Sequence, residues 1–390
     1  MAVNVLNFNQ VSTLLAAIVS QATGSTVVRP INTAEFVTVG QTALLTGTDN
    51  IINAVSQVLS RTIFSVRPYN AKFKGLRVTA EQFGAITRKI VSIDKPLEND
   101  DRFSLSDGQS VDMYIVNKPD VLQLNFYGFN VYQKSVTIFR DQLNVAFEGP
   151  SQFGEFITMV MQNVSDQLEQ ADEELSRQCI NNMITGVIAD ADADRAINVL
   201  TAYNQATGSS ATANTIFTPA VFPSFAKWLY GFIETMSDRL EMRNALYHQN
   251  LTGKTIMRHT PKADQRLYIA SDVMKRIKTE VLADTYNEFL LRLGDYEPVA
   301  YWQNISKPLS VSATPVHLAA NGTLTEEESA VTGTVIGVLC DREAMGVVNM
   351  NEWMAATPFN ARGGYYNMFW HQEKRYWNDF TENCVVFYIA

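Results

Sequence analysis

The chain has 390 residues, enough for two or three packed units, with 46% hydrophobic and only 18% charged residues. Ordinary soluble domains carry roughly 25% charge, so this charge-poor surface suits a subunit that buries much of itself against neighbours, the plain alternative being a globular protein with an Asn/Thr/Gln-rich surface. A net charge of −9 without any Lys/Arg cluster excludes tight sequence-specific nucleic-acid binding, which needs a basic footprint.

Residues 1–62 read as an arm. The apolar run Leu14 to Val19 is not a signal peptide, because Met1 to Gln10 lacks the positive n-region. Val11, Leu14, Leu15, Ile18 and Val19 instead make the stripe of a short helix over about 11–22. No run reaches the ~20 apolar residues of a membrane span. A Thr- and Val-rich stretch from Ser25 to Leu45 reads as extended. A second short helix follows, capped by Thr48 or Asp49, with Ile51, Ile52, Val55, Val58 and Leu59 as its stripe. Neither helix is long enough to be stable alone.

Residues 63–147 are β-rich. Thr62–Val66, Phe83–Ile93, Val121–Val131 and Val136–Arg140 are enriched in β-branched and aromatic residues. Between them lies an acidic, turn-rich tip holding Asp94, Glu98, Asp100, Asp101 and, before Gly108, Asp107. A two-stranded ribbon is marginal without support, so this segment is expected to lie on a partner, with those five acidic residues in the contact.

Pro150 to Val187 reads as one long amphipathic helix, with Pro150-Ser151 supplying the start and a cap. Phe153, Phe156, Ile157, Val160, Val164, Leu168 and Leu175 lie on its apolar stripe and are the candidate packing residues. Asp166, Glu169, Asp172, Glu173, Glu174 and Arg177 lie on the other side. At ~1.5 Å per residue the helix spans roughly 55 Å. Heptad spacing holds only from Met161 to Leu175 and then shifts to fours at Cys179, Met183 and Val187. The stripe therefore suits the chain's own sheet better than a coiled coil.

Asp190 to Asn214 reads as a polar linker. An α/β unit follows: a helix over Ser224–Leu240, a short strand Thr255–Met257, a strand Leu267–Ala270, a helix from Ser271 to about Leu290, and a strand Val299–Trp302. Pro308 to Gly333 reads as flexible. The end is β: a buried strand Val335–Cys340, short strands Gly346–Met350 and Trp353–Ala356, then two long strands, Tyr365–Trp377 and Asn383–Ile389.

No motif carries chemistry. Gly253-Lys254-Thr255 ends like a phosphate-binding loop, but His248 stands where the first glycine belongs. Asp190, Asp192 and Asp194 alternate as in a calcium loop, yet Arg195 replaces the glycine and Thr201 the final Glu. The four histidines show no HExxH or zinc spacing, and His371 reads as a packed or surface residue. Cys179, Cys340 and Cys384 have no CxxC and read as buried reduced thiols. The rings from Tyr365 to Trp377 read as sheet core and interface rather than a base-stacking platform, because the Lys374 and Arg375 among them stand beside Glu373 and Asp379. No catalytic, cofactor-binding or metal-binding residue is assigned.

Element order then carries the reading: arm, long β loop, long helix, α/β unit, closing strands. This order resembles the major capsid proteins of tailed bacteriophages, the Hong Kong 97 fold. Two stretches resemble the small short-tailed (podovirus) phages: Tyr127 through Phe156, and Asp341 through Ile389 with its Asn360-Ala361-Arg362-Gly363 turn. The resemblance implies an α+β fold with an N-terminal arm (1–62), an extended β loop with adjoining peripheral strands (63–147), a peripheral domain with a spine helix (148–215), an axial domain (216–345) and closing peripheral strands (346–390), the last possibly axial. It implies a structural, non-enzymatic protein that forms pentamers and hexamers of an icosahedral shell around double-stranded DNA. It further implies an arm reaching a neighbour, a separate scaffolding protein, a portal protein as partner, no membrane, and a place in the virion after assembly in the host cytoplasm. The alternatives from the residues are another β-rich virion component, such as a tail or fibre protein, and a nucleotide-dependent enzyme built on residues 216–345.

Overall fold

The computed structural model describes residues 8–24, 29–45, 72–78, 86–93, 104–114, 116, 118, 120–142, 149–282 and 296–390. The expected helix over 48–59 and strand over 62–66 lie outside them.

The chain opens with helix α1 (Phe8–Thr23), whose stripe Val11, Leu14, Leu15, Ile18 and Val19 is buried. The stretch expected to be extended instead holds a second helix, α2 (Thr33–Leu45). The reason is a capping box: Glu35 N–H donates to Asn32 Oδ1 (2.9 Å), while the Glu35 carboxylate accepts from Asn32 Nδ2 (3.0 Å) and Ile31 N–H (3.0 Å). Two satisfied backbone N–H groups at this one end outweigh the small penalty of the β-branched Thr33, Val37, Thr38 and Val39.

Among the described residues, four strands precede the long helix, the first three being β1 (Arg77–Val78), β2 (Ile86–Ile93) and β3 (Asp120–Tyr127). The strand expected over Val121–Val131 breaks at Gly128, whose φ of +91° suits glycine, and β4 (Asn130–Phe139) follows. β2 pairs antiparallel with β3, while β4 leaves for a different sheet.

Helix α3 (Pro150–Ala189) runs 40 residues, roughly 60 Å. Pro150 sits in its first turn, but Gly149 is the N-cap and no side chain caps the end, so Ser151 does not have the role expected of it. The residues expected to form a linker are structured. They hold β5 (Ala196–Asn198) and helix α4 (Val199–Thr207). Asn198 caps α4 by accepting from Leu200 and Thr201, and Gly208 ends it at φ +67°.

Helix α5 (Phe222–Glu241) follows. Thr255–Met257 does not form the expected strand, because side chains take its backbone bonds: Asn250 Oδ1 accepts from Ile256 N–H (3.0 Å), and His248 Nε2 lies 2.7 Å from Ile256 O. Next come β6 (Gln265–Ala270), α6 (Ser271–Leu282) and β7 (Tyr296–Val299). The strand expected at Val299–Trp302 thus lies earlier and ends at Val299, and the part of the expected helix beyond Leu282 lies outside the described residues.

Pro308 to Gly333 is ordered rather than flexible, with β8 (Ser310–Ala313), β9 (Val316–Leu318) and β10 (Leu324–Glu326). The Asn182 side chain acts as a strand partner here, donating to Val316 O (3.0 Å) and accepting from Val316 N–H (2.9 Å). The chain closes with β11 (Val331–Asp341), β12 (Met345–Ala356), β13 (Tyr365–Asn378) and β14 (Cys384–Ile389). The two short strands expected at 346–356 are one strand, bulged between Asn349 and Asn351.

Two sheets organise the molecule. The larger runs β5-β14-β11-β6-β7, with β8 also on β11; the smaller runs β1-β12-β13-β4. One face of the larger sheet packs Ile336, Leu339, Val385 and Phe387 against Phe225, Leu229 and Ile233 of α5 and Val273 and Ile277 of α6. The other face packs Val335, Val338 and Val386 against Leu175, Cys179, Met183 and Val187 of α3. Burial on both faces explains the unbroken apolar runs of β11 and β14. Earlier in α3, Val164, Leu168 and Phe156 meet the inner face of the smaller sheet at Ile138, Met368 and Trp370. The long helix thus crosses two sheets and joins them.

Candidate assembly surfaces

The β2–β3 ribbon is rooted on its own chain. Alternation sends Lys89 to one face and Arg88 and Ile90 to the other. Lys89 Nζ lies 3.0 Å from Asp379 Oδ2, 2.6 Å from Glu382 Oε1 and 3.1 Å from Glu343 Oε2. Burial alone would lower the Lys89 ammonium, but Asp379 and Glu382 outweigh it and hold it above its usual range. Burial raises the Glu382 carboxyl, opposed by Lys89 and by Arg258 3.1 Å away. Arg375 on β13 donates from Nε to Gly128 O (2.8 Å), tying down the turn after β3. Phe126 and Trp377 add a ring contact at 6.2 Å.

Ile93, at the end of β2, is buried, but other apolar side chains of the ribbon and its loop are uncovered. Met113, Tyr114 and Val116 are 80%, 79% and 77% exposed, and Ile90, Val111 and Val121 are also open. A group of exposed apolar residues of this kind makes a candidate interaction surface. Of the acidic residues expected in the contact, Asp107 is exposed beside Gly108, while Asp94, Glu98, Asp100 and Asp101 lie outside the described residues. The apolar residues were missed by weighing the tip by its charge; the run Met113-Tyr114-Ile115-Val116, in a segment with no core of its own, was the available signal.

The smaller sheet has a second open face. Its inner rows point to α3, so the alternate residues point out. Trp353 and His371 face each other across β12 and β13, stacked at 3.9 Å, with Phe369 beyond at 6.4 Å. Phe139 meets Tyr365 edge-on at 6.0 Å. His371 is thus a packed histidine in an aromatic row.

The spine-helix candidates divide by position. Phe156, Val164 and Leu168 lie in the core against the smaller sheet, and Leu175 in that against the larger. Phe153, Ile157 and Val160 belong to α3, with side chains outside the described ones. The charged side of the helix is not simply solvated: Asp172 and Glu173 are buried. Arg77 Nη2 lies 3.0 Å from Glu169 Oε2 and 3.4 Å from Asp172 Oδ2. Lys374 contacts Asp172, and Arg177 pairs with Glu173 while its guanidinium stacks 3.8 Å above the Tyr301 ring.

The weak motifs resolve as structure. Gly253 sits at φ +75° in a turn closed by Lys254 N–H on Leu251 O (2.9 Å). Asp190, at the start of the expected polar linker, is instead tied in: Arg195 Nη1 lies 3.0 Å from its Oδ2, and His317 Nδ1 lies 2.6 Å from its Oδ1, off the hydrogen-bonding direction. Among the described residues, no group of three or more His, Cys, Asp or Glu is placed to hold a metal ion. No described helix is long and apolar enough to cross a membrane. The three cysteines are buried and free.

The family model for Phi29-like phage major capsid proteins matches residues 15–388. No curated protein matches the sequence. Among solved structures, the fold is similar to a chain of the capsid of Staphylococcus phage Andhra, with TM-score 0.55 and 9% identity, covering 84% of this chain and 87% of that one. It is also similar to a chain in the structure of the head fibre and inner core protein gp22 of native bacteriophage P68, with TM-score 0.51 and 10% identity, covering 84% and 87%. The architecture is the α+β Hong Kong 97-type capsid fold. The chain is a structural virion protein that assembles with copies of itself, and it belongs to the Phi29-like phage major capsid protein family.

Proposed function

We infer that copies of this chain close into pentamers and hexamers of an icosahedral shell around double-stranded DNA, joined by the β2–β3 ribbon of one subunit lying over the next. The observation that carries this reading is the contrast within the ribbon: a root fixed by Lys89 and a tip with Met113, Tyr114 and Val116 uncovered. A patch on one subunit that meets a different patch on its neighbour is heterologous, which is the contact type that closes rings. The loop whose sequence carries Asp94, Glu98, Asp100, Asp101 and Asp107 takes part in this intersubunit contact in the same reading. In this reading residues 1–62 serve as the arm, 63–147 as the extended loop with adjoining peripheral strands, 148–215 with the spine helix and 346–390 as the peripheral part, and 216–345 as the axial part, which the last strand, β14, rejoins through its pairing with β11. The net charge of −9 suits a container whose DNA moves in and out without sticking. A separate scaffolding protein and a portal protein complete the assembly, which takes place in the host cytoplasm. The role is structural, without a catalytic step.

The test is a triple substitution, Met113→Asp, Tyr114→Asp and Val116→Asp, co-expressed with the scaffold. These side chains have no core to lose, so the subunit is expected to fold with an unchanged circular dichroism spectrum. Shells seen by negative-stain microscopy in the unsubstituted protein are expected to vanish. Normal shells from the triple variant would overturn the role given to the ribbon tip; fibres from the unsubstituted chain would overturn the shell.

A further inference from the structure

The register of the larger sheet sets two thiols side by side. β11 and β14 pair antiparallel with Cys340 opposite Cys384. Asp341 N–H donates to Asn383 O (2.8 Å), so these two residues form a hydrogen-bonded pair of the ladder, and Cys340 and Cys384 the next, non-hydrogen-bonded one. In keeping with that, the Cys384 and Val386 N–H groups point away from β11, to Tyr247 O (2.9 Å) and Arg195 O (2.8 Å). A non-hydrogen-bonded pair holds its Cα atoms about 4.5 Å apart, inside the roughly 4.4–6.8 Å that disulfides span. Directly opposed residues also send their side chains to one face, and both thiols lie in the core between this sheet and α3.

The third thiol is turned elsewhere: Cys179 Sγ lies 3.4 Å from Trp377 O and 3.6 Å from Asn378 Nδ2. The two strand thiols differ from each other. Burial raises both. At Cys384 the nearby Arg195 opposes the rise, which ends at about 12, whereas at Cys340 the neighbouring Cys384 and Asp341 add to it and carry it well above the usual value. Cys384 is therefore the first of the pair to ionise when the core opens locally. Hydrogen peroxide is little larger than water and enters on fluctuations too small to admit an alkylating agent.

We propose that Cys340 and Cys384 are a redox pair that a peroxide converts into an intrachain disulfide, stapling the last strand to the middle of the larger sheet. The step lies within one chain and does not rest on the assembly reading. The Cys384 thiolate attacks one oxygen of hydrogen peroxide. An S–O bond forms, the O–O bond breaks, and the departing hydroxide takes up the thiol proton as water, leaving a sulfenic acid. The Cys340 sulfur then attacks the Cys384 sulfur. The S–S bond forms, the S–O bond breaks, and the hydroxyl leaves with the Cys340 proton as a second water. The sulfurs are oxidised by two electrons in all, and the peroxide is reduced by the same two. The bond closes a loop over residues 341–383, which holds both β12 and β13 of the smaller sheet.

The test treats the full chain with hydrogen peroxide, removes the peroxide, unfolds the chain in urea with iodoacetamide and digests it without reductant. Mass spectrometry is expected to find the Cys340 and Cys384 peptides joined, lighter by two hydrogen atoms than their sum, with Cys179 alkylated. Dithiothreitol added after the peroxide is expected to return all three to alkylatable thiols. Cys340→Ser leaves Cys384 without its partner, so peroxide is expected to hold it as a sulfenic acid that dimedone traps. Cys384→Ser is expected to trap several-fold less dimedone at Cys340, both variants being checked for the parent's circular dichroism. A folded, treated parent chain alkylated at all three cysteines as fully as the untreated one overturns the proposal. A bond to Cys179 overturns the pairing taken from the register, and equal dimedone labelling of the two variants overturns the order of attack.

Discussion

A methyl group placed on Gly186 would stand 2.7 Å from two carbons of the Phe380 ring. Gly186 lies inside α3, where glycine costs up to about 1 kcal/mol against alanine. The ring therefore uses the space that glycine leaves. Gly186→Ala is expected to lower stability by about 1–2 kcal/mol despite its better helix propensity, since overpacking a close contact costs more than propensity returns. Urea unfolding of Gly186→Ala, Phe380→Leu and the double variant checks this. The double variant should be more stable than the sum of the two single losses.

Lys89 joins the ribbon to Asp379 and Glu382, whose side chains are buried. Lys89→Met removes the partner and leaves Asp379 an uncompensated buried charge, whereas Glu382 keeps Arg258. A loss of about 3 kcal/mol is expected, at the low end for breaking a buried pair. Limited proteolysis should show faster cleavage in the β2–β3 ribbon. Adding Asp379→Asn should recover part of the loss.

His248 is buried, with Nε2 2.7 Å from Ile256 O and Nδ1 3.1 Å from the Asn383 side chain. Burial lowers its basicity below the ordinary 6.5, its two hydrogen bonds opposing and Arg258 and Arg195 adding to the fall. Below pH 6.5 the unfolded chain therefore binds a proton that the folded chain refuses. Stability should fall as pH drops through this window, by at most about 1.4 kcal/mol per pH unit, and be insensitive to this group above it. His248→Gln should flatten that part of the stability–pH curve in denaturant melts.

Burial pushes the Cys179 and Cys384 thiols up to about 12, and Cys340 well above its usual value. Only the thiolate reacts with alkylating agents. At pH 8 iodoacetamide should leave all three unmodified in the native protein and label all three in urea, read by mass spectrometry. Labelling of native Cys179 would show that α3 opens from the sheet.

Much of the architecture is local and legible. The three-and-four spacing from Phe153 to Val187 repeats within a few residues, so α3 can be read wherever its sheet lies. The unbroken apolar run from Val335 to Cys340 likewise reveals a strand covered on both faces. Elements held by single side chains are harder to see. α2 depends on the exchange between Asn32 and Glu35, and the 310–326 strands depend on β11 and on Asn182. A reading by composition turns the first into an extended chain and the second into a flexible loop. The assembly surface follows the same rule: its acidic residues stand out by charge, while Met113, Tyr114 and Val116 matter because nothing in the chain covers them.

The sequence by itself determined that the chain holds a long two-sided helix between a ribbon lacking its own core and a set of closing strands, and that it carries no recognisable catalytic motif. Tertiary structure alone decided that the helix crosses two sheets, that Lys89 roots the ribbon on residues 290 and 293 positions away, and that Lys374 meets Asp172 across 202 positions. The physical reason is range. Periodicity, turns and burial preference are set by neighbours within one or two turns of chain, whereas a pairing between distant residues exists only once strand register and helix packing have placed both on the same spot.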